Sequence, residues 1–500
     1  MDLKIHTKNI EEYIKTVHEN NVIELKESKN SLPKEFWPTY SSFSNTNGGL
    51  VILGVKEHQP HNIINGVENP NKVIQDLWNT ISNPQKVSHN NLNNSSIEII
   101  DIEEKQVILI DIPEVDLKLK PVYLNGHLDQ AYIRKGDGDY KLTNDQLKAM
   151  LRNGQPVEDA QYIPNLHIDD LDLISVASFK EKVSARYPQN HFETYPPQDF
   201  LQRIGAIRIN PDSTIDIKNG ALLFFGKYLT IKEYFPSYFM DYINRPDPSL
   251  RWIDRVSTDD ISEVQMNVYN FFNIVFEKLK AIVVEKFELN RDSTRVRSSG
   301  FEVAIREALT NCLAHADYVQ GFPSIKIEAA KGWFLFKNPG QMLIPIKDFF
   351  KGGDSRPRNE TIMSFFRYLG ISERQGEGGP SIYRTAIEND YRLPEIITDL
   401  EYTELKLWHI DLVESHPELT DDEKKVYHFL YKSKSIEKFN DIKNATGLTE
   451  YKIRKALDVL IQNDLVVVIG NGKSTRYGVA DPTQLVEKVR QLLDSIQSHL

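Results

Sequence analysis

Four charged residues near the N-terminus have the types and spacing needed for phosphodiester chemistry. Glu19 and Glu24 flank a predicted strand, and Lys26 stands two residues after Glu24. Glu57 follows the next predicted strand. Carboxylates in such an arrangement hold Mg²⁺ or Mn²⁺, which activates water, while a lysine offsets negative charge in the transition state. The same spacing is typical of a solvated strand face. The residues therefore fit two alternatives, a nuclease and a surface that binds nucleic acid without cleaving it.

A second set of polar residues repeats at helical spacing. Glu307, Asn311 and His315 are four residues apart, so they share one face of a predicted helix whose other positions are mostly apolar. An Asn-Pro-Gly turn follows at 338–340, then a Gly- and Arg-rich stretch at 352–359 and a glycine-rich segment at 376–379. Glycines let the backbone approach a phosphate closely, which indicates a nucleotide site. A core helix followed by ordinary turns is the alternative.

A third set lies near the C-terminus, where a helix–turn–helix pattern precedes two predicted strands joined by Asn471-Gly472. This pattern resembles a winged helix. Its second helix and its hairpin carry basic residues on the side that contacts DNA in such motifs, namely Lys452, Arg454, Lys455, Lys473 and Arg476. A docking module for another protein is the alternative, because acidic residues nearly balance the basic ones.

Hydrophobic periodicity predicts the elements that must position these residues. The N-terminal third has a helix at 10–20, strands at 22–26, 50–55, 97–102 and 107–112, a loop at 79–96 and a helix at 143–152. The middle has helices at 169–186, 198–204 and 262–286 and strands at 221–225, 324–328 and 333–337. The tail has helices at 420–432, 439–445 and 450–463 and strands at 466–469 and 475–479.

The composition limits the classes of function. The chain has 500 residues, of which 40% are hydrophobic, and a formal net charge of −11. It is therefore long enough for several domains, and it must contact nucleic acid through local basic patches. The single cysteine, Cys312, excludes disulfide frameworks and multi-cysteine metal sites. Apolar runs are far shorter than the ~20 residues of a membrane helix, and a P-loop motif is missing, so we expect a cytoplasmic protein that has no membrane partner and is no P-loop helicase.

The N-terminal set resembles the Schlafen AlbA-type domain over about residues 10–150. The resemblance rests on the runs 18–26, 43–49 and 51–55. It implies nuclease acids at Glu19 and Glu24, a lysine at Lys26, and Glu57 where nuclease-active members carry aspartate. The longer Glu57 side chain departs from that pattern. The resemblance thus implies either a module that binds nucleic acid or a metal-dependent nuclease, for example one that acts against foreign genetic elements.

The second set, in its order along the chain, resembles the divergent Bergerat-type fold of GHKL ATPases over about residues 200–400. The resemblance implies that Asn311 holds Mg²⁺ against the phosphates of ATP and that Glu307 orients or deprotonates the attacking water. Asn338 stands where typical members have the aspartate that reads adenine, and Met342 replaces a glycine. A decayed fold kept for dimerisation is the alternative. The residues assigned to nucleotide binding are Asn311, His315, Asn338, Gly340, Gly376 and Gly378.

We therefore predict an α/β multi-domain protein that binds nucleic acid and ATP and acts as a homo-oligomeric regulator. In it, nucleotide would order the loop 352–359 and control the engagement of DNA or RNA. A Schlafen-like nuclease and a non-catalytic scaffold are the alternatives. The predicted segments are a Schlafen AlbA-like α+β domain (1–155), a connector (156–290), a Bergerat-type α/β sandwich (291–413), a winged helix (414–482) and a terminal helix (483–500).

Overall fold

The computed structural model describes residues 11, 13–154, 158–249, 251–260, 262–289, 298–320, 323–353, 356–371, 376–389, 391–410, 415–416, 418–433, 436–463, 465–469 and 475–480. The chain divides into two compact units, Met1–Pro156 and Val157–Leu500, called the N-terminal and C-terminal units below. Both contain helices and sheets, which confirms the predicted α/β multi-domain class. None of the helices in these ranges has the length and hydrophobicity that crossing a bilayer requires.

The N-terminal unit is built mainly from short strands. A helical turn at 13–16 comes first, where a longer helix is predicted. The elements that follow are β1 (Ile23–Lys26), α1 (Phe36–Asn45), β2 (Gly49–Leu53), β3 (Val55–Lys56), β4 (Ile63–Ile64), α2 (Pro70–Ile81), β5 (Ile97–Ile102), β6 (Lys105–Ile112), β7 (Tyr123–Leu124), β8 (His127–Lys135), β9 (Gly138–Lys141) and α3 (Asn144–Asn153).

The main sheet of this unit has the order β1-β2-β6-β5. β1 runs parallel to β2, whereas β6 is antiparallel to both of its neighbours. The apolar β2 therefore lies inside the sheet, as predicted. Phe36, Tyr40 and Phe43 of α1 are fully buried with sheet residues such as Val51 and Ile110. This core fixes β1, which carries Glu24 and Lys26.

One N-terminal prediction is wrong in part: residues 79–81 belong to α2 and not to a loop. Asn69 caps this helix, because its side chain accepts a hydrogen bond from the Lys72 amide, and Pro70 occupies the first turn. Asn79 is polar because it lies on the exposed face of an amphipathic helix. The predicted strands at 97–102 and 107–112 and the helix at 143–152 are confirmed.

The C-terminal unit alternates helices and strands over most of its length. In chain order they are β10 (Tyr162–Leu166), α4 (Leu173–Arg186), α5 (Pro197–Arg203), β11 (Ile207–Ile209), β12 (Ile215–Lys218), α6 (Asn219–Phe225), α7 (Tyr228–Tyr234), β13 (Met240–Asn244), β14 (Asp254–Ser257), α8 (Val268–Leu289), α9 (Ser298–Ala314), β15 (Ile325–Ala330), β16 (Trp333–Pro339), α10 (Ile346–Lys351), α11 (Glu360–Tyr368), α12 (Gly378–Glu388), β17 (Glu395–Thr398) and β18 (Tyr402–Trp408).

A six-stranded sheet of order β14-β13-β15-β16-β18-β17 supports the candidate site. β13 and β15 are parallel, and the other neighbours are antiparallel. Its buried face belongs to one hydrophobic core whose members run from Ile163 to Leu407. The segment predicted as a connector therefore shares its core with the segment predicted as the nucleotide-binding domain.

The prediction of a strand at 221–225 is wrong, because these residues form α6. A short, continuous apolar run fits a buried helix as well as a buried strand, since periodicity cannot separate the two. Every residue from Gly220 to Phe225 is buried. Phe224 and Phe225 have ring centroids within 6 Å of those of Phe179 and Phe365, so the helix is surrounded on all sides.

The tail forms a small compact module with its own core. Its elements are α13 (Asp421–Ser433), β19 (Glu437–Lys438), α14 (Phe439–Thr446), α15 (Glu450–Gln462), β20 (Val466–Ile469) and β21 (Arg476–Val479), and its strands pair in the order β19-β21-β20. Gly447 has a φ of 66°, so it provides the left-handed turn between α14 and α15. The terminal helix predicted at 483–500 lies outside the described residues.

Candidate functional site: a cavity beside the six-stranded sheet

A cavity of about 350 Å³ lies in the C-terminal unit, beside α9 and the central strands. β16 and β18 contribute Phe336 and Leu405 to an apolar wall. A polar wall is formed by Glu307 and Asn311 of α9 and by His315, which directly follows this helix, and all three line the cavity. The four-residue spacing places these three side chains on one face, while Ile305 and other residues of α9 are buried in the core.

Glu307 and Asn311 keep their polar groups available for a ligand. In the described ranges neither side chain forms a hydrogen bond, and both are only partly exposed. Burial raises the pKa of Glu307 to about 7, and the charge of Arg306 opposes this shift in part. A carboxyl group of this kind accepts and releases a proton near neutral pH, as a general base must.

The first turn of α12 covers these two side chains. A Cβ atom added at Gly378 would lie 2.8 Å from Glu307 Oε2 and 3.4 Å from Asn311 Nδ2. Gly376 has a φ of 78°, and a Cβ atom there would lie 2.6 Å from the backbone nitrogen of Gly353. The two glycine segments therefore cross in direct backbone contact. Unpaired amides at the start of a helix favour an anion beside this wall.

Asn338 and His315 define the opposite, mostly uncharged end. Asn338 Nδ2 donates to the backbone oxygens of Pro339 at 3.1 Å and His315 at 3.5 Å, so the side-chain oxygen is the group left for a ligand. Burial, followed by the charge of Arg358, lowers the pKa of His315 to about 4, so the imidazole is neutral at pH 7. Gly340 packs against the Arg358 guanidinium.

Arg358 and Asn359 anchor the loop that we expected to close on phosphates. Arg358 Nε donates to the His315 oxygen at 3.1 Å, and Nη2 donates to the Gln341 oxygen at 3.0 Å. Asn359 Nδ2 donates to the backbone oxygens of Ala314 and Ala316. The C-terminal part of the loop is thus fixed to the end of α9, whereas residues 354 and 355 lie outside the described ranges.

Sequence reasoning missed one wall of the cavity, which α11 provides. Glu360, Met363 and Arg367 line the cavity from this helix. Their i, i+3, i+7 spacing is the available sequence signal, because it marks one helical face. Thr403 of β18 was also missed, and its hydroxyl donates to the Gly340 oxygen at 2.9 Å.

A buried aspartate fixes the N-terminus of α11. Asp159 Oδ2 accepts hydrogen bonds from the backbone N–H groups of Thr361 at 2.8 Å and Ile362 at 3.0 Å. Burial raises the pKa of Asp159 to about 6, although these two hydrogen bonds oppose the shift. Asp159 is only three residues beyond Pro156, so the start of the C-terminal unit is attached directly to a wall of the cavity.

The N-terminal carboxylates are arranged differently from the predicted metal cluster. Glu24 is buried, and its two oxygens lie 2.6 Å from Lys26 Nζ and 2.6 Å from Arg134 Nη2. Arg134 also lies 3.1 Å from Asp139. Both oxygens of Glu24 are therefore occupied by cations, which compete with a metal ion for the same carboxylate.

Glu19 and Glu57 lie beside this buried network. Glu57 Oε1 accepts from the Glu19 backbone at 3.1 Å and lies 3.2 Å from His18 Nδ1. Burial, followed by the charge of Glu24, raises the pKa of Glu19. Within the ranges the structure describes, no three His, Cys, Asp or Glu side chains are close enough to hold a metal ion together.

The basic residues predicted to contact DNA have mixed surroundings. Lys452 is 2.8 Å from Asp422, and the Arg454 guanidinium lies 4.8 Å from the centre of the Phe439 ring. Lys455 is exposed on the same helix, α15, and Arg476 is half-buried on β21. The prediction for Lys473 falls outside the described residues.

Three family models match separate parts of the chain. Residues 19–143 match the family described as "Schlafen, AlbA_2", and residues 324–407 match "Putative ATP-dependent DNA helicase recG C-terminal". Residues 148–241 match a domain of unknown function. The chain therefore contains a Schlafen AlbA_2 domain and a RecG-like C-terminal domain. The second of these matches covers β15 to β18, the strands that support the cavity.

No curated protein matches the chain by sequence. Solved structures that are similar to it include the following two. One is a protein of Corynebacterium diphtheriae, with 14% identity, a TM-score of 0.41, and coverage of 95% of this chain and 99% of that one. The other is the N-terminal domain of a RecG-related protein from Nitrosomonas europaea, with 23% identity, a TM-score of 0.20, and coverage of 28% and 92%. Both TM-scores are too low to define the fold.

Proposed function

We propose that the protein binds ATP with Mg²⁺ in the cavity beside α9 and that this nucleotide controls how the protein engages DNA or RNA. The observation that carries the proposal is the pairing of Glu307 and Asn311 beneath the backbone of Gly378. A carboxylate, an amide and a glycine-lined helix start are the groups that a phosphate chain and its cation need. The RecG-like match over the adjoining strands supports the same class of site.

The phosphates would lie beside Gly376 and Gly378, a Bergerat-type arrangement. Mg²⁺ is a hard cation that binds oxygen ligands and usually keeps several waters, so a single protein ligand is sufficient for it. Asn311 suits this role because its amide has no other hydrogen-bonding partner in the described part of the chain. When bound, the cation would neutralise the negative charge on the phosphate oxygens. Glu307 would orient a water molecule and take its proton.

The base would lie at the Asn338 end. Asn338 presents an oxygen acceptor there, because Pro339 and His315 accept from its nitrogen. An acceptor at this position suits the amino group of adenine. The substitution of asparagine for the usual aspartate therefore keeps the acceptor and removes the charge.

The proposed contacts with nucleic acid lie at both ends of the chain. The order α13-β19-α14-α15-β20-β21 and the three-stranded sheet support a winged helix, in which α15 would enter a groove through Arg454 and Lys455. The Schlafen AlbA_2 match supports a second contact in the N-terminal unit. Assembly as a homo-oligomer, with ATP changing how the protomers present these surfaces, belongs to the same proposal.

Thermal unfolding of the purified chain with a non-hydrolysable ATP analogue and Mg²⁺ tests the proposal. A ligand present at 100 times its Kd stabilises the folded state by about 2.7 kcal/mol, which raises the unfolding midpoint. Asn311→Ala should remove most of this increase, and Asn71→Ala, on the exposed face of α2, should retain it. An unchanged wild-type midpoint at millimolar analogue would refute the proposal.

A metal-dependent nuclease remains the second candidate function. The observation that favours it is the electrostatic coupling of Glu19 to both Glu24 and Glu57. The ion pairs of Glu24 with Lys26 and Arg134 argue against it, and so we expect binding without cleavage. Labelled tRNA and DNA incubated with Mn²⁺ distinguish the two, because cleavage that Glu24→Ala abolishes would establish the nuclease.

A further inference from the structure

We infer that Arg367 is the residue that makes the cavity select a nucleoside triphosphate over a diphosphate. This inference rests on the proposed function, because it assigns the ligand class of the same cavity. Among the residues that the structure describes, four charged side chains line the cavity: Glu307, Arg356, Glu360 and Arg367. The two negative charges offset the two positive ones, so the lining has no net positive charge. An anionic phosphate chain must therefore be bound by a basic side chain that is not already paired within the protein.

Two other described arginines near the cavity, Arg356 and Arg358, are already engaged. Arg358 donates to the backbone oxygens of His315 and Gln341, so it fixes the loop and not the ligand. Arg356 lines the cavity and has an interaction within the protein. Arg367 is therefore the arginine in the described part of the cavity lining that is left to bind a ligand.

The Arg367 guanidinium is accessible and has spare donors. Its side chain is exposed, and Nη2 donates to the Ser364 hydroxyl at 2.9 Å. Among the residues that the structure describes, no carboxylate lies within ion-pairing distance of it. A guanidinium has five N–H donors in a fork that matches the oxygens of a phosphate group. Most of these donors are free for a terminal phosphate.

The position of Arg367 along α11 is consistent with the far end of a nucleotide. The start of α11 is held beside the base end, because the preceding Asn359 bonds to the oxygens of Ala314 and Ala316. Arg367 lies seven residues after Glu360, which is about 10 Å along the helix axis. Both residues line the same cavity. A base near Asn338 would therefore leave its terminal phosphate, and not its first one, within reach of Arg367.

α11 is also rigid enough to hold a specific position. Asp159 caps its first turn with two hydrogen bonds, and Phe365 and Phe366 pack into the buried core. A binding group on a fixed helix discriminates between ligands more sharply than one on a loop. Arg367 should therefore discriminate between the two nucleotides, because a diphosphate lacks the terminal phosphate that Arg367 binds.

Calorimetric titration of the full chain with a non-hydrolysable ATP analogue and with ADP, both with Mg²⁺, tests the inference. Arg367→Ala should weaken binding of the triphosphate by about 10- to 100-fold, the range for hydrogen bonds to charged groups, and ADP binding by less than about twofold. Arg367→Lys should restore part of the triphosphate affinity, because it restores the charge without the fork. Arg203→Ala, an exposed arginine on α5, should change neither affinity.

The possible failures are distinguishable. Equal weakening of both nucleotides by Arg367→Ala, or an unchanged ratio of their affinities, would overturn the role of Arg367 while leaving ATP binding intact. If the wild-type chain binds neither nucleotide, the proposed function itself fails and the inference fails with it. Circular dichroism of each variant establishes that it is folded, and Arg367→Lys gives the same ratio test should the alanine variant be unstable.

Discussion

Replacing Glu307 with glutamine should stabilise the protein and stop the proposed hydrolysis of ATP while leaving the proposed ATP binding intact. The folded-state pKa of Glu307 is about 7, against an ordinary value of 4.5. Because the folded-state pKa is the higher one, the protonated side chain favours folding below about pH 4.5, and this stability is lost as the pH rises towards 7. The shift corresponds to at most about 3 kcal/mol, since one pKa unit is about 1.4 kcal/mol.

Glutamine has nearly the same shape and no charge, so it avoids this cost at every pH. Chemical denaturation of the C-terminal unit should show Glu307→Gln to be more stable than wild type by up to about 3 kcal/mol at pH 8.5, and by only about 1 kcal/mol at pH 5. Turnover of ATP by the proposed site should fall at least about 100-fold, because the proposed general base is lost. A variant that is less stable at pH 8.5, or a stability difference that does not change with pH, would refute the reasoning.

Three further perturbations test other parts of the structure. In the wild type, the free energy of unfolding should fall between pH 4 and pH 6, because the folded-state pKa of Asp159, about 6, lies above the ordinary 3.8. Asp159→Asn removes the charge and should reduce this fall, which urea titrations at several pH values measure. Gly378→Ala should weaken binding of the ATP analogue at least about tenfold in calorimetry, since its Cβ would lie 2.8 Å from Glu307 Oε2, and unchanged affinity would contradict the contact. Glu24→Gln should destabilise the N-terminal unit by about 3 kcal/mol in denaturant melts, because it removes the buried charge that pairs with Arg134; a change below 1 kcal/mol would show that the pair is unimportant.

Local periodicity was sufficient to predict the polar wall of α9. Glu307, Asn311 and His315 are four residues apart, and a helix places such positions on one face whatever surrounds it. The positions of β5 and β6 were also predictable, but alternation did not fix their burial, because residues 107–110 of β6 are buried in succession. The fully apolar α6 gave no such signal, and its type was decided by packing against Phe179 and Phe365.

Contacts between distant segments were not predictable from spacing. Arg134 meets Glu24 across 110 residues, and this pairing turns a predicted metal ligand into part of a buried ion-pair network. Asp159 caps the helix that begins 201 residues later, and its hydrogen bond to Thr361 spans 202 residues. Such contacts depend on the tertiary fold, because the local sequence around one residue does not identify its distant partner.

We expect the side chains of Glu307 and Asn311 to face a triphosphate when ATP is bound. A crystal structure of the full chain grown with a non-hydrolysable ATP analogue and Mg²⁺ is the sharpest test of this expectation. It should show the cation on the side-chain oxygen of Asn311 and the adenine amino group at the side-chain oxygen of Asn338. Density for the nucleotide elsewhere, or a cavity that stays free of it at saturating concentration, would show that the proposed site is wrong.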